Sequence, residues 1–448
     1  MGDEKKNKLS DYGISAKIRF WLFSFVGLLI FVIPIKIGGN EQIGLMLIGG
    51  RITRLLGDAA DYVIYAFALG GTLLFMKERK KRCSNFFDIL MSLLSLLGIV
   101  CMTLYIFGIA PPFLEDERFM PFIMSQVLYP TLLYTGLSPL FMPFLLDSGL
   151  LEFVGVALRP VLRPLFKLPG RAAVITVSAF FGSAPVGIVV VDNLYKDGRF
   201  THKEAFIVGT NFATTAISFM VILGNLGGIL DYWGIYFLAC LIGLAVIAVF
   251  MARLYPARNI PDTTFNGIDY DDENDGIKNG FLIKRMLLAG YEKAGAMGNL
   301  GLSCLGMIKT SAVLLCNIMA STCGMVVLGL AVNYYTSILE WCGYLFYPFA
   351  LLAGLGDPLT VGKGAASALL VPSLPAVYAA GVSSLASKIV LCSMPVLGII
   401  SVPLTMPIFF NSVVRYRAKH LLIVYIERMI LTILVVSVIV NLYIRLFI

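Results

Sequence analysis

Three hydroxyls and one amide crowd a single apolar run: Thr210, Asn211, Thr214 and Thr215 in the stretch TNFATT. Such groups inside an apolar run can hold a polar solute or a cation, or can bond a neighbouring helix for about 0.6 kcal/mol each. Ser183 and Pro185 lie in a Gly/Ser/Pro interruption (GSAPVG) of another apolar run. A break there exposes half-helix ends, whose free N–H groups suit anions and whose free C=O groups suit cations. Asp357 and Lys363 flank a turn-forming stretch, GDPLTVGKGA. Charges at membrane depth are costly and mark function, unless they pair or sit at the interface.

Other chemistries fail on their spacing. GDPLTVGKGA has the outline of a phosphate loop, but Gly364 stands where the Mg²⁺-binding Ser or Thr belongs. The run Asp271-x-Glu273-x-Asp275-Gly276 has the outline of a calcium loop, but Leu282 replaces the bidentate Glu, leaving a solvated loop. The chain has two His, His202 and His420, too few for a His-rich metal centre. Its eight Cys form no C-x-x-C pair and lie mostly in apolar spans, as small buried hydrophobes. No His/Asp/Ser cluster has catalytic spacing. An enzyme is disfavoured, and neither a metal nor a cofactor is expected.

The elements that position these residues are membrane helices. The chain is 58% hydrophobic and 14% charged, against about 25% charged in a soluble domain. Several apolar runs exceed the roughly 18 residues that mark a span. The net charge of +8 comes from Lys and Arg in short loops such as Lys77–Arg82 (KERKKR). That positive-inside pattern explains the charge without nucleic acid. The expected fold is an all-α polytopic membrane protein with about nine or ten transmembrane helices plus two re-entrant hairpins. Its expected parts are a cytoplasmic tail (1–19), N-terminal membrane helices (20–146), a first repeat with a re-entrant hairpin (147–251), a cytoplasmic loop (252–300), a second repeat with its hairpin (301–414) and a C-terminal transmembrane helix (415–448). Ala172–Val191 has basic residues at both ends, so it reads as a hairpin dipping in from the cytoplasm. Ala205–Leu223, Tyr334–Gly354 and Pro395–Val414 read as single spans, and Glu427 and Arg428 as interfacial.

Two segments share one order of elements. Leu151-Glu152-Phe153-x-Gly155-x4-Pro160 lines up with Leu339-Glu340-Trp341-x-Gly343-x4-Pro348. Cations follow the first copy at Arg163, Lys167 and Arg171, while the second has none before Lys363. That contrast is expected of inverted repeats, and paired broken elements point to a transport site at the bilayer midplane. Glu152 and Glu340 then read as anchors near the hairpins.

The stretches Leu29–Ile35 (LIFVIPI), Thr210–Leu223 (TNFATTAISFMVIL), Leu254–Asp262 (LYPARNIPD), Gly356–Pro358 (GDP) and Tyr425–Leu434 (YIERMILTIL), in that order, resemble the YjiH-like family of nucleoside-recognition, or Gate-domain, inner-membrane proteins. One departure is Leu374–Ser384 (LPAVYAAGVSS), which lacks the acidic residue the resemblance implies before its Leu-Pro. The resemblance implies nucleoside-transporter-like inverted repeats in a bacterial inner (cytoplasmic) membrane, here with the N-terminus cytoplasmic. The expected partners are membrane lipids and a small polar solute, nucleoside-like and coupled to Na⁺ or H⁺, with a homodimer or a smaller Gate-domain protein as a further partner. Two alternatives stand beside transport of that solute: a non-transport scaffold or regulatory subunit, and a transporter of a lipid or lipid-linked substrate.

Overall fold

A computed structural model describes residues 12–166 apart from 34, 38–39, 43, 58 and 83–85; residues 168, 188, 191–192, 194–196 and 198; and residues 200–447 apart from 216, 266–281 and 403–404. Ser183 and Pro185, and with them the first hairpin, lie outside the described residues, as does the acidic loop.

The N-terminal region comprises α1 (Ile14–Phe31), a small hairpin of β1 (Ile35–Ile37) with β2 (Asn40–Gln42), α2 (Gly44–Leu56), α3 (Ala59–Arg82) and α4 (Phe86–Ile106). The stretch Phe122–Leu146, read from the sequence as one span, is helical almost throughout, with π-helical segments at Ile123–Leu128 and Thr131–Thr135. Pro121, Pro130 and Pro143 each remove a backbone donor there. After it come α5 (Leu150–Phe166), α6 (His202–Asn211), α7 (Ile217–Leu226), α8 (Trp233–Met251) and α9 (Leu282–Ala296). The second half comprises α10 (Leu300–Tyr335), α11 (Ile338–Gly343), α12 (Tyr347–Leu352), α13 (Pro358–Ser367), α14 (Leu374–Ala380), α15 (Leu385–Gly398), α16 (Met406–Asn411) and α17 (Ala418–Phe447).

Among the described residues, five helical segments are long and apolar enough to cross a membrane: Ile14–Phe31, Ile89–Ile106, Leu230–Met251, Ile318–Tyr335 and Ala418–Phe447. The fold is helical and polytopic, as expected. What differs is where the helices break. Ala205–Leu223 is interrupted between α6 and α7, Tyr334–Gly354 between α11 and α12, and Pro395–Val414 between α15 and α16.

The long α10 packs on α3 and α4. Small residues set the second of these crossings: a Cβ at Gly98 would overlap the Ala320 carbonyl oxygen, and one at Gly324 the Leu94 carbonyl oxygen. Close backbone approach of this kind is how membrane helices gain contact without a hydrophobic driving force. At the other side, α17 packs on α8 and α15.

The second hairpin is present, but its turn is not where the sequence suggests. Pro358–Ser367 is helix α13, with Pro358 at its first turn and Asp357 ahead of it at φ 52°. Proline suits a first helical turn because it lacks only a donor that has no partner there. The reversal comes later, at Ala368–Ser373, before α14. The glycines that looked like turn residues serve packing instead: a Cβ at Gly343 would lie 2.8 Å from the Lys363 nitrogen, and one at Gly362 would overlap the Gly343 carbonyl oxygen.

Candidate functional site

Helix α6 starts with a capping box. The Thr201 hydroxyl accepts from the Glu204 N–H at 3.2 Å, and the Glu204 carboxylate accepts from the Thr201 N–H at 2.9 Å. The helix ends at Asn211 and resumes as α7 at Ile217. Between them the Thr214 N–H donates to the Phe212 carbonyl at 2.8 Å, a tight turn. The β-branched pair Thr214-Thr215 favours the extended backbone of such a break.

All four polar residues expected at this place, Thr210, Asn211, Thr214 and Thr215, are buried at the break. The Thr210 hydroxyl donates to the Phe206 carbonyl at 2.7 Å. The Asn211 amide nitrogen donates to the Ile207 carbonyl at 2.9 Å and to the Thr210 hydroxyl at 3.3 Å. With its N–H₂ group committed, Asn211 turns its amide oxygen elsewhere. The hydroxyl oxygens of Thr214 and Thr215 have no hydrogen-bond partner among the described residues.

The partner of Asn211 is Arg428, at the eleventh position of α17. Its Nη1 donates to the Asn211 Oδ1 at 2.7 Å, and its Nε to the Leu397 carbonyl at 2.7 Å. Arg428 is fully buried, not interfacial as its sequence position suggested. The misplacement has a physical cause: α17 starts already at Ala418, so the basic loop and Arg428 are about three helical turns apart. Among the described residues no carboxylate pairs with Arg428. Glu427 is adjacent in sequence, but residues one apart on a helix do not face each other.

Leu397 belongs to a second break. Helix α15 ends at Gly398, and Ile399 follows with φ 62°. A β-branched residue in that region is strained, and strain of that kind persists only where the surroundings hold it. Here Thr405 holds it: its hydroxyl donates to the Ile399 carbonyl at 2.9 Å and accepts from the Ser401 N–H at 2.8 Å. The Val402 N–H donates to the Leu369 carbonyl at 2.8 Å, tying this break to the turn of the α13–α14 hairpin. Tyr425, one turn before Arg428, donates its hydroxyl to the Ala365 carbonyl in α13. One face of α17 therefore reaches the α6–α7 break, the α15–α16 break and the second hairpin.

The opposite end of α6 is also bound to this unit. The His202 Nε2 is 2.8 Å from the Val414 carbonyl, and the Tyr416 hydroxyl donates to the Ala205 carbonyl at 3.3 Å. The Ser412 hydroxyl donates to the Asp192 carboxylate, which also accepts from the Val413 N–H at 3.3 Å.

Asp357 and Lys363 do not join the break. Asp357 is exposed, and Lys363 lies 3.4 Å from Glu340, not beside Asp357. Its counterpart in the sequence repeat, Glu152, lies 4.0 Å from Lys293. Both repeat-related carboxylates thus carry a lysine. Burial pushes the Glu152 carboxyl above the ordinary carboxylate range, and Lys293 offsets this in part. A separate pocket between α4, α10 and the hairpin turn is lined by Leu90, Leu94, Leu328, Val332, Leu370 and Val371 among others, and is almost wholly apolar.

Several helices long and apolar enough to cross a membrane define a multi-pass membrane protein, with a polar break buried inside it. Residues 93–230 match the family described as Gate: Nucleoside recognition, a stretch that contains the whole α6–α7 break. This match over part of the chain agrees with the resemblance read from the sequence. The chain is 26% identical over 443 residues to an uncharacterized protein of Alkalihalophilus pseudofirmus, covering 93% of this chain and 92% of that one. Two solved structures are similar at low identity. One is CNTnw in an inward-facing substrate-bound state, at 13% identity, covering 96% of this chain and 94% of that one, with a TM-score of 0.47. The other is a doubly substituted CNTnw in an outward-facing state, at 14% identity, covering 98% and 94%, with a TM-score of 0.45.

Proposed function

We propose that this chain transports a small polar solute of the nucleoside class across the cytoplasmic membrane, with its N-terminal tail inside. The solute site in this reading is the α6–α7 break. The observation that carries it is the pair of buried Thr214 and Thr215 hydroxyls, which have no hydrogen-bond partner among the described residues. A buried hydroxyl left unpaired costs about 1–3 kcal/mol, which an incoming solute hydroxyl or base edge offsets. Ser183 and Pro185, outside the described residues, stay candidate solute-binding residues in this reading.

The test is a thermal-shift screen of the purified protein in detergent against nucleosides, nucleobases, sugars and amino acids. A ligand of the folded state raises the melting temperature by mass action. Stabilisation by nucleosides alone is the expected result. No shift from any class would favour the scaffold reading.

A second reading, transport of a lipid or lipid-linked substrate, has one observation in its favour: the apolar pocket beside α10 suits an acyl or isoprenoid chain and offers a polar solute almost nothing. Stabilisation by isoprenoid phosphates in the same screen, without nucleosides, would select it.

A further inference from the structure

A fully buried guanidinium without a carboxylate needs some other source of negative potential. Both of its acceptors here sit at the C-terminal ends of broken helices. Asn211 is the last residue of α6, and Leu397 is the penultimate residue of α15. A helix C-terminus carries roughly half a negative elementary charge, in the unsatisfied carbonyls of its last turn. Two such ends together offer about one negative charge against one guanidinium, whose Nη2 has no hydrogen-bond partner among the described residues. The acceptors are an amide oxygen and a backbone carbonyl, both neutral oxygens. Neutral oxygens at unwound helix ends are the donor set that membrane carriers offer to a coupling cation.

We infer that Arg428 is a tethered cation: its guanidinium occupies the place between two broken-helix C-termini that a free monovalent cation would otherwise fill. Three features agree with this beyond the hydrogen bonds. Ile399, two residues beyond the Leu397 carbonyl that Arg428 engages, is held at φ 62°. Thr432, one turn along α17, donates its hydroxyl to the Arg428 carbonyl at 2.7 Å, so its oxygen is turned to the backbone and not to the guanidinium. No acidic residue pairs with Arg428 among the described residues, so the helix ends supply its counter-charge. The consequence for coupling rests on the transport reading: a carrier with its cation built in has no need of Na⁺ at this place. The electrostatic inference itself stands or falls without any transport.

The experiment uses the full chain in detergent and reads the melting temperature. For the wild type, NaCl and choline chloride at equal ionic strength should give the same value. A stabilisation by Na⁺ over choline that is absent from Arg428→Ala would overturn the inference, because it would show that the break needs a free cation while Arg428 is present. For Arg428→Ala the melting temperature should fall, and millimolar guanidinium or Na⁺ should restore about 1–3 °C of it where choline does not. A variant that melts lower and is rescued by no small cation would mean that Arg428 serves packing alone, and would also overturn the inference. Should Arg428→Ala not fold, Arg428→Lys and Arg428→Met provide the second arm. Both keep a long side chain, but only Lys keeps a cation between the helix ends, so Arg428→Lys is expected to melt above Arg428→Met. Equal melting temperatures would mean that packing alone matters and would contradict the inference. Nucleoside binding or its absence changes none of these outcomes, so failure of the transport reading remains distinguishable.

Discussion

The Arg428 guanidinium donates to the Asn211 amide oxygen at 2.7 Å, joining residues 217 apart in sequence. One end of this bond lies in the middle of the last membrane helix, the other at the point where α6 stops. The same side chain also reaches the Leu397 carbonyl, where α15 stops. Two interruptions in the membrane region are thus held by one cation.

Removing the acceptor should be severe. Asn211→Ala leaves a buried charge with one partner fewer, a change that costs about 3–5 kcal/mol when it breaks a buried pair with a true counter-ion and about 1.5–3 kcal/mol for a charged hydrogen bond. The lower figure applies here, because Asn211 is neutral. The expected outcome is a melting temperature several degrees below wild type, measured by thermal unfolding in detergent.

The threonines should behave in the opposite way. Thr214→Val and Thr215→Val replace unpartnered buried hydroxyls by methyl groups of the same shape, which is neutral or stabilising by about 1 kcal/mol. Binding of a polar solute should nevertheless weaken by about tenfold for each hydroxyl lost. Isothermal titration beside thermal unfolding separates the two effects.

The crossing of α11 and α13 leaves no room for a side chain. Gly343→Ala puts a Cβ 2.8 Å from the Lys363 backbone nitrogen. Overpacking of this kind typically costs about 1–3 kcal/mol. The Glu340–Lys363 pair spans the same crossing at 3.4 Å and is partly exposed, so Lys363→Met should cost less than about 1 kcal/mol. The ratio of the two melting shifts checks whether packing or charge holds this hairpin.

Glu152 should make stability fall as pH rises. Burial raises its folded-state pKa above the unfolded value, so the folded form binds the proton more tightly. Its contribution is fully present below the unfolded carboxylate pKa and is lost as pH rises through the raised folded value. Glu152→Gln should remove that dependence and melt higher than wild type at neutral pH, in a melting series across the acidic to neutral range. A wild-type curve that instead rises through this window would mean that Lys293, 4.0 Å away, outweighs burial.

Much of the site was legible because polar residues in an apolar run are conspicuous: Thr210, Asn211, Thr214 and Thr215 all lie at the break. The break itself was not legible, since Ala205–Leu223 has no Gly or Pro between Asn211 and Ile217. The α15–α16 break was hidden for another reason. Its strained residue is Ile399, a type that promises regular structure, and the Thr405 hydroxyl holds its carbonyl while the Ile400 N–H closes the turn onto the Gly398 carbonyl. Glycines misled in the other direction. Gly362 and Gly364 read as a turn, but they face α11 and α15, where a Cβ would meet Gly343 and Leu391. Arg428 was the largest omission. An arginine near the middle of the Ala418–Phe447 span was the available signal, but its nearness to the basic loop and to Glu427 made it look interfacial.

The central claim, a polar solute held at the α6–α7 break, is tested most directly by uptake of radiolabelled uridine and adenosine into proteoliposomes. Wild-type protein and the Thr214→Val/Thr215→Val double variant would be compared at equal melting temperature. The account predicts uptake by the wild type above protein-free liposomes, and a loss of at least about tenfold in the double variant. Uptake that the double variant leaves unchanged, or a wild type that moves neither nucleoside, would contradict it.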